Sequence, residues 1–140
     1  MNRITLQEAI EFHGHLGPYL VLGLLAGESA IKKLKCKKYF GLNVLVYGAN
    51  SKPKSCLIDG IQLSSGATFG KGNINKYHGS IIRIEFNNKL NGEKITLRLK
   101  QEIGKILEVT KTHRDSEVLA KKLYKIKLNK LFDFTANDKG

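Results

Sequence analysis

Phe12-His13-Gly14-His15-Leu16-Gly17-Pro18 is the stretch whose reading decides how the N-terminal third folds. Gly14 and Gly17 let the backbone bend where a helix cannot continue, and Pro18 suits the first position of a new helix, where its missing N–H would be unpaired anyway. The stretch therefore predicts helix, turn, helix, with two imidazoles on the turn. Imidazole changes charge close to neutral pH and is a common ligand for zinc and other borderline metals, so the turn is a candidate for ligand or proton-transfer chemistry. At this spacing the same two histidines read equally well as turn residues satisfied by backbone hydrogen bonds.

Upstream, Thr5 and Glu8 form a capping-box pattern, and Leu6, Ala9 and Ile10 supply an apolar face. Downstream, a helix runs from about Pro18 to Lys38, apolar in its first half and lysine-rich in its second, with Gly23 and Gly27 spaced for close packing on a neighbour. Leu42 to Tyr47 reads as a strand closing at Gly48-Ala49-Asn50, and Ser51 to Lys54 as a loop. Ser55 is expected to cap a helix over Cys56 to Ser64, in which i, i+3 spacing brings Cys56, Asp59 and Gln62 near one another. The glycine-rich stretch Ser65 to Asn73 could bring backbone N–H groups close to an anion. It lacks P-loop spacing, which argues against a nucleotide site. Ser80 to Phe86 and Glu93 to Leu99 read as a hairpin turning at Asn91-Gly92. Two helices follow, Gln101 to Thr110 and Ser116 to Tyr124, the second capped by Asp115, while Leu131 to Phe134 adds a strand or lies on the core. The order defines an α+β domain rather than a repeating βαβ one.

The chain of 140 residues, 41% hydrophobic, suffices for one packed domain, expected over residues 1–135 with 136–140 as a frayed polar tail. Twenty-four basic against twelve acidic side chains give a net charge of +12, a field that would attract phosphates, nucleic acid or an acidic protein surface. The excess is lysine, with only four arginines, so a solvated lysine face ranks above nucleic-acid binding. Two cysteines define no disulfide framework, and a reducing, cytoplasmic setting is the simpler expectation. The apolar run Tyr19 to Ala26 is far short of a membrane span.

Three ordered segments carry a resemblance: Phe12-His13-Gly14-His15 with Pro18, Ser55-Cys56-Leu57-Ile58-Asp59-Gly60-Ile61-Gln62, and Gly66-Ala67-Thr68-Phe69-Gly70-Lys71-Gly72-Asn73. Together they resemble the FmdE family of formylmethanofuran dehydrogenase components over roughly residues 5 to 100. The resemblance implies an α-β-α-β-β-β core shared with a glyceraldehyde-phosphate-dehydrogenase-like domain, a dimer, and an association with molybdenum or tungsten formylmethanofuran dehydrogenase in one-carbon metabolism. It also implies a metal near the His and Cys motifs. Two departures stand out: Gly17 and Ala67 occupy positions where the family usually has cysteines, and the cysteine-rich zinc finger that many relatives append has no counterpart here.

Three functional readings follow. In the leading one, His13, His15 and Cys56 bind zinc or another transition metal, leaving a fourth position for water or substrate. In the second, the protein is an enzyme of one-carbon metabolism: Lys71 acts as anion clamp or acid, Asp59 orients an imidazole, and Gln62, Thr68, Gly70 and Asn73 line the ligand pocket. In the third, the metal site is lost and a non-catalytic subunit docks by its basic surface onto a larger oxidoreductase complex. Each residue also has a plainer reading: Cys56 as a small buried hydrophobe, Lys71 as a solvated loop residue, Asp59 as a brace for the glycine loop, and His78 and His113 as surface. Two structural expectations accompany the leading reading. The 66–73 loop folds over the His13 to Gly17 turn to make one pocket, and the apolar half of the second helix serves a symmetric homodimer.

Overall fold

In the computed structural model, which describes residues 3–137, the capping box at Thr5 is complete: its hydroxyl accepts from the Glu8 N–H and the Glu8 carboxylate accepts from the Thr5 N–H. Such a cap contributes about 1 kcal/mol. Helix α1 (Leu6–His13) stops at Gly14, whose φ of 105° is open to glycine at no steric cost. Helix α2 (Pro18–Leu34) starts at Pro18 as expected but ends short of Lys38, at a left-handed Lys35. Continuing the helix would stack Lys33 under Lys37, and like charges at that spacing disfavour it.

Strand β1 (Leu42–Tyr47) is followed by α3 (Cys56–Ser65) and β2 (Ile74–Tyr77), then β3 (Arg83–Asn88) and β4 (Lys94–Leu99), giving the expected α-β-α-β-β-β order from α2 onward. Helices α4 (Gln101–Val109) and α5 (His113–Tyr124), a short 3₁₀ turn (Leu128–Lys130) and β5 (Phe132–Asn137) complete the chain as an α+β fold. The sheet order is β2-β1-β3-β4-β5; β2 runs parallel to β1 across α3 and all other pairs are antiparallel. Among the described residues no helix is long and apolar enough to cross a membrane.

Several boundaries correct the sequence reading. Ser55 has helical backbone angles and makes no side-chain cap bond among the described residues. Helix α5 begins at His113 rather than Ser116, because Thr112 is the cap and its hydroxyl accepts from the Asp115 N–H. Strand β5 pairs Ala136 with Ile95 and Asn137 with Lys94, so these two residues belong to the sheet and not to a tail; residues 138–140 lie outside the described residues. Strand β2 escaped the reading because only Ile74 of its four residues is buried, which leaves no alternating pattern.

The core lies between the inner sheet face (Leu42, Val44, Val46, Ile84, Phe86, Leu97) and α2, which in turn packs on α3. The two helices meet at glycines: a Cβ on Gly23 would stand 2.1 Å from the Leu57 carbonyl oxygen, and one on Gly60 would stand 2.3 Å from that of Leu20. The apolar half of α2, expected to serve a partner protomer, is thus covered within the chain.

Candidate functional site

The close approach of α2 and α3 brings the first turn of α3 to the end of α1. His13, the last residue of α1, places its Nδ1 2.6 Å from Oδ2 of Asp59. A carboxylate can only accept, so Nδ1–H is the donor, and in the neutral form of the ring the lone pair lies on Nε2. That atom is buried and has no hydrogen-bond partner among the described residues. The ring itself is only 9% exposed, against 36% for the Asp59 side chain.

His15, on the turn after Gly14, lies against His13 with ring centroids 4.8 Å apart and planes 35° from parallel. Its other side meets His113, the first residue of α5, at 5.7 Å and 28°, and His113 Nε2 stands 3.7 Å from Glu117. Three imidazoles from two stretches of the chain thus form a row with a carboxylate at each end. Desolvation by burial holds the His15 imidazole below its usual value; the positive charges that His13 and His113 can carry add to the effect, and Glu117 opposes it. His113 is exposed, as read from sequence, and its ring also lies against His15. Nothing in the chain pattern could show it, since 98 positions separate it from His15 and its helix was expected to begin three residues later.

Cys56 is half-buried and packs against the main apolar core. Burial pushes its thiol up, Asp59 adds to that, and Lys52 opposes it. No hydrogen bond links it to either imidazole among the described residues, and no group of three or more His, Cys, Asp or Glu side chains converges there as a ready metal cage. Two features nevertheless fit a metal held by nitrogen donors. One is the unpaired Nε2 behind a His–carboxylate pair, the arrangement in which metal-ligating histidines are oriented by an outer carboxylate. The other is Gly17: a Cβ there would point at His15 Nε2 from 3.3 Å and meet no other residue within 4 Å, so a position-17 side chain would stand beside that nitrogen.

The glycine-rich loop forms a second, separate group. Asn73 is buried and donates to the carbonyls of Tyr39 and Leu42 while its Oδ1 accepts from the Thr68 N–H at 3.0 Å. Gln62 accepts from the Phe69 N–H at 3.1 Å. Lys71 donates through Nζ to Thr68 Oγ1 at 3.3 Å and sits 5.7 Å from the Tyr39 ring and 5.8 Å from that of Phe40. Gly70 is exposed at the tip. The hydrogen bonds of the 66–73 loop run within itself and to Tyr39, Leu42, Val44, Gln62 and Ser65; none among the described residues reaches His13 to Gly17. Asp59 lies in the first turn of α3 and the loop leaves from its C-terminal cap, Gly66, about 10 Å further along the axis at the helical rise. The structure therefore joins His13, His15 and Asp59 in one group and Gln62, Thr68, Lys71 and Asn73 in another. The loop was expected to fold over the His13 to Gly17 turn; among the described residues no hydrogen bond joins the two segments.

An α+β fold with a carboxylate-held histidine between its first and third helices is the class these features define. The family described as FmdE, molybdenum formylmethanofuran dehydrogenase operon, matches residues 12–136, and the chain belongs to it. The fold is also similar to the crystal structure of a tungsten formylmethanofuran dehydrogenase FmdE-like protein from Syntrophus aciditrophicus, with 20% identity and a TM-score of 0.67 over 99% of this chain and 77% of that one. No curated protein matches the chain.

Proposed function

We propose that this protein is a metal-binding FmdE-like domain in which His13, held by Asp59, is the leading ligand of a borderline transition metal, zinc in the first instance, and His15 is the second. The observation that carries this reading is His13 Nε2, a buried nitrogen with no partner among the described residues, on a ring whose other nitrogen is fixed by a carboxylate. Leaving such an atom unpaired costs stability, about 1–3 kcal/mol for a buried polar group, and a metal would use it. When bound, the metal would supply a Lewis acid for water or a substrate oxygen. Asp59 sets the tautomer and fixes the ring's direction. Membership in the FmdE family favours a place in one-carbon metabolism, alone or as an accessory of a formylmethanofuran dehydrogenase.

The alternative, a docking component without metal, keeps one supporting observation: as placed, no three donor side chains converge among the described residues. Calorimetric titration with zinc at pH 7.5 separates the two. Binding by the wild type, lost in His13→Ala and weakened roughly 10–100-fold in Asp59→Asn, is the expected result. A wild type that takes up none of zinc, cobalt, nickel or iron would leave the docking reading.

A further inference from the structure

We propose that the cavity between the start of α2, the approach to β3 and helix α4 is a binding site for a phosphate group, carried free or on a small ester. The cavity holds about 240 Å³, and neither His13, His15, Cys56 nor Asp59 lines it, so the site stands apart from the metal reading. One wall is a face of α4, on which Gln101, Gly104, Lys105 and Glu108 recur at helical spacing. The N-terminus of that helix is open: Lys100 at the cap makes no side-chain bond, and the N–H groups of Gln101 and Glu102 have no partner among the described residues. Free donors at the positive end of a helix dipole favour an anion.

Tyr19 supplies a second, independent sign. Only 5% of it is exposed, yet its hydroxyl makes no hydrogen bond among the described residues, and the residue lines the cavity. Burial holds the phenol above its usual value of 10.0 and the Glu108 carboxylate, on the cavity wall, adds to the rise, so the hydroxyl lies toward the cavity and stays a donor at neutral pH. Lys54, Lys100 and Lys105 line the same space against that single carboxylate. Lys54 and Lys105 have no acidic partner within 4 Å among the described residues, and the partner of Lys100, Asp133 at 3.7 Å, is 70% exposed. The surplus of positive charge matches a phosphate group, which carries about −1.5 to −2 at neutral pH, better than a carboxylate with its single charge. Gly104 keeps the wall open, since a Cβ there would meet only Leu99 Cδ2, at 4.0 Å.

Titration with inorganic phosphate at pH 7.5 and constant ionic strength, followed in backbone ¹H–¹⁵N spectra, tests this. The Gln101 and Glu102 amides should shift to saturation, and acetate should bind more weakly. Tyr19→Phe removes one hydroxyl, and Gly104→Leu fills the cavity with a residue that favours helix; each should weaken phosphate binding by about 10-fold while melting close to the wild-type temperature. Should Gly104→Leu melt early, Tyr19→Phe alone decides. Glycerol 3-phosphate titrated in parallel tells the source, because an ester that binds more tightly than the free ion uses the rest of the cavity as well. Amides that do not saturate, or that saturate at the wild-type concentration in either folded variant, overturn the site. Acetate binding as tightly as phosphate overturns the choice of phosphate.

Discussion

At the scale of single residues, the account depends on protonation. The folded chain holds the His15 imidazole below its usual value of 6.5, so as pH falls the unfolded chain takes up the proton first. The stabilising contribution of neutral His15 is therefore present above pH 6.5 and lost as pH drops below it. Melting temperature should fall between pH 7 and pH 5, and His15→Gln should make that fall shallower; an identical slope would remove His15 from the account. Cys56 has the opposite sign: its thiol is pushed up by burial, so its contribution is present below the ordinary value of 9.0 and lost as pH rises through the folded value. Iodoacetamide at pH 8 should alkylate Cys56 more slowly in the native protein than in urea, as read by peptide mapping. The sequence made His13, His15, Cys56 and Asp59 legible as residue types with suitable spacing. It could not show that Asp59 pairs with His13 rather than bracing the glycine loop, because that depends on where α1 meets α3.

At the scale of elements, the glycines on α2 and α3 carry the packing prediction. A methyl on Gly23 or Gly60 would run into the main chain of the other helix, which cannot move aside as a flexible side chain could. Gly23→Ala should cost about 1–3 kcal/mol or more in urea denaturation and loosen the His13–Asp59 pair with it. Gly70→Ala, whose nearest neighbour would be Thr68 Oγ1 at 3.8 Å, should be close to neutral. Equal effects would mean that the helices are not held at this distance. Elements with strong local signals were legible: the capping box at Thr5, the Gly14 stop, Pro18, and the hairpin turn at Asn91-Gly92. Those set by tertiary context were not. Strand β2 exists because β1 offers it an edge, and α2 was expected to run on to Lys38 because periodicity alone does not register like-charge crowding.

At the scale of the whole molecule, fold class was legible because the alternation of helices and strands follows from turn residues and periodicity, and the FmdE-like motifs placed them in order. Assembly follows a different logic. With the apolar half of α2 covered inside the chain, the homodimer expected from the resemblance needs another face, and the exposed rings of Tyr39, Phe40 and Phe69 are available. Light scattering at micromolar concentration should report about twice the chain mass of 15.6 kDa, reduced toward one chain by Phe40→Asp. A monomeric wild type would contradict the dimer. Whichever assembly holds, the functional account turns on one nitrogen. Long-range ¹H–¹⁵N spectra of the histidine rings at pH 7.5, recorded before and after one equivalent of zinc, test it most directly. The account predicts His13 as the tautomer protonated on Nδ1, with an unprotonated Nε2 whose resonance moves on zinc addition. A protonated Nε2, or one that zinc leaves unmoved, would contradict it.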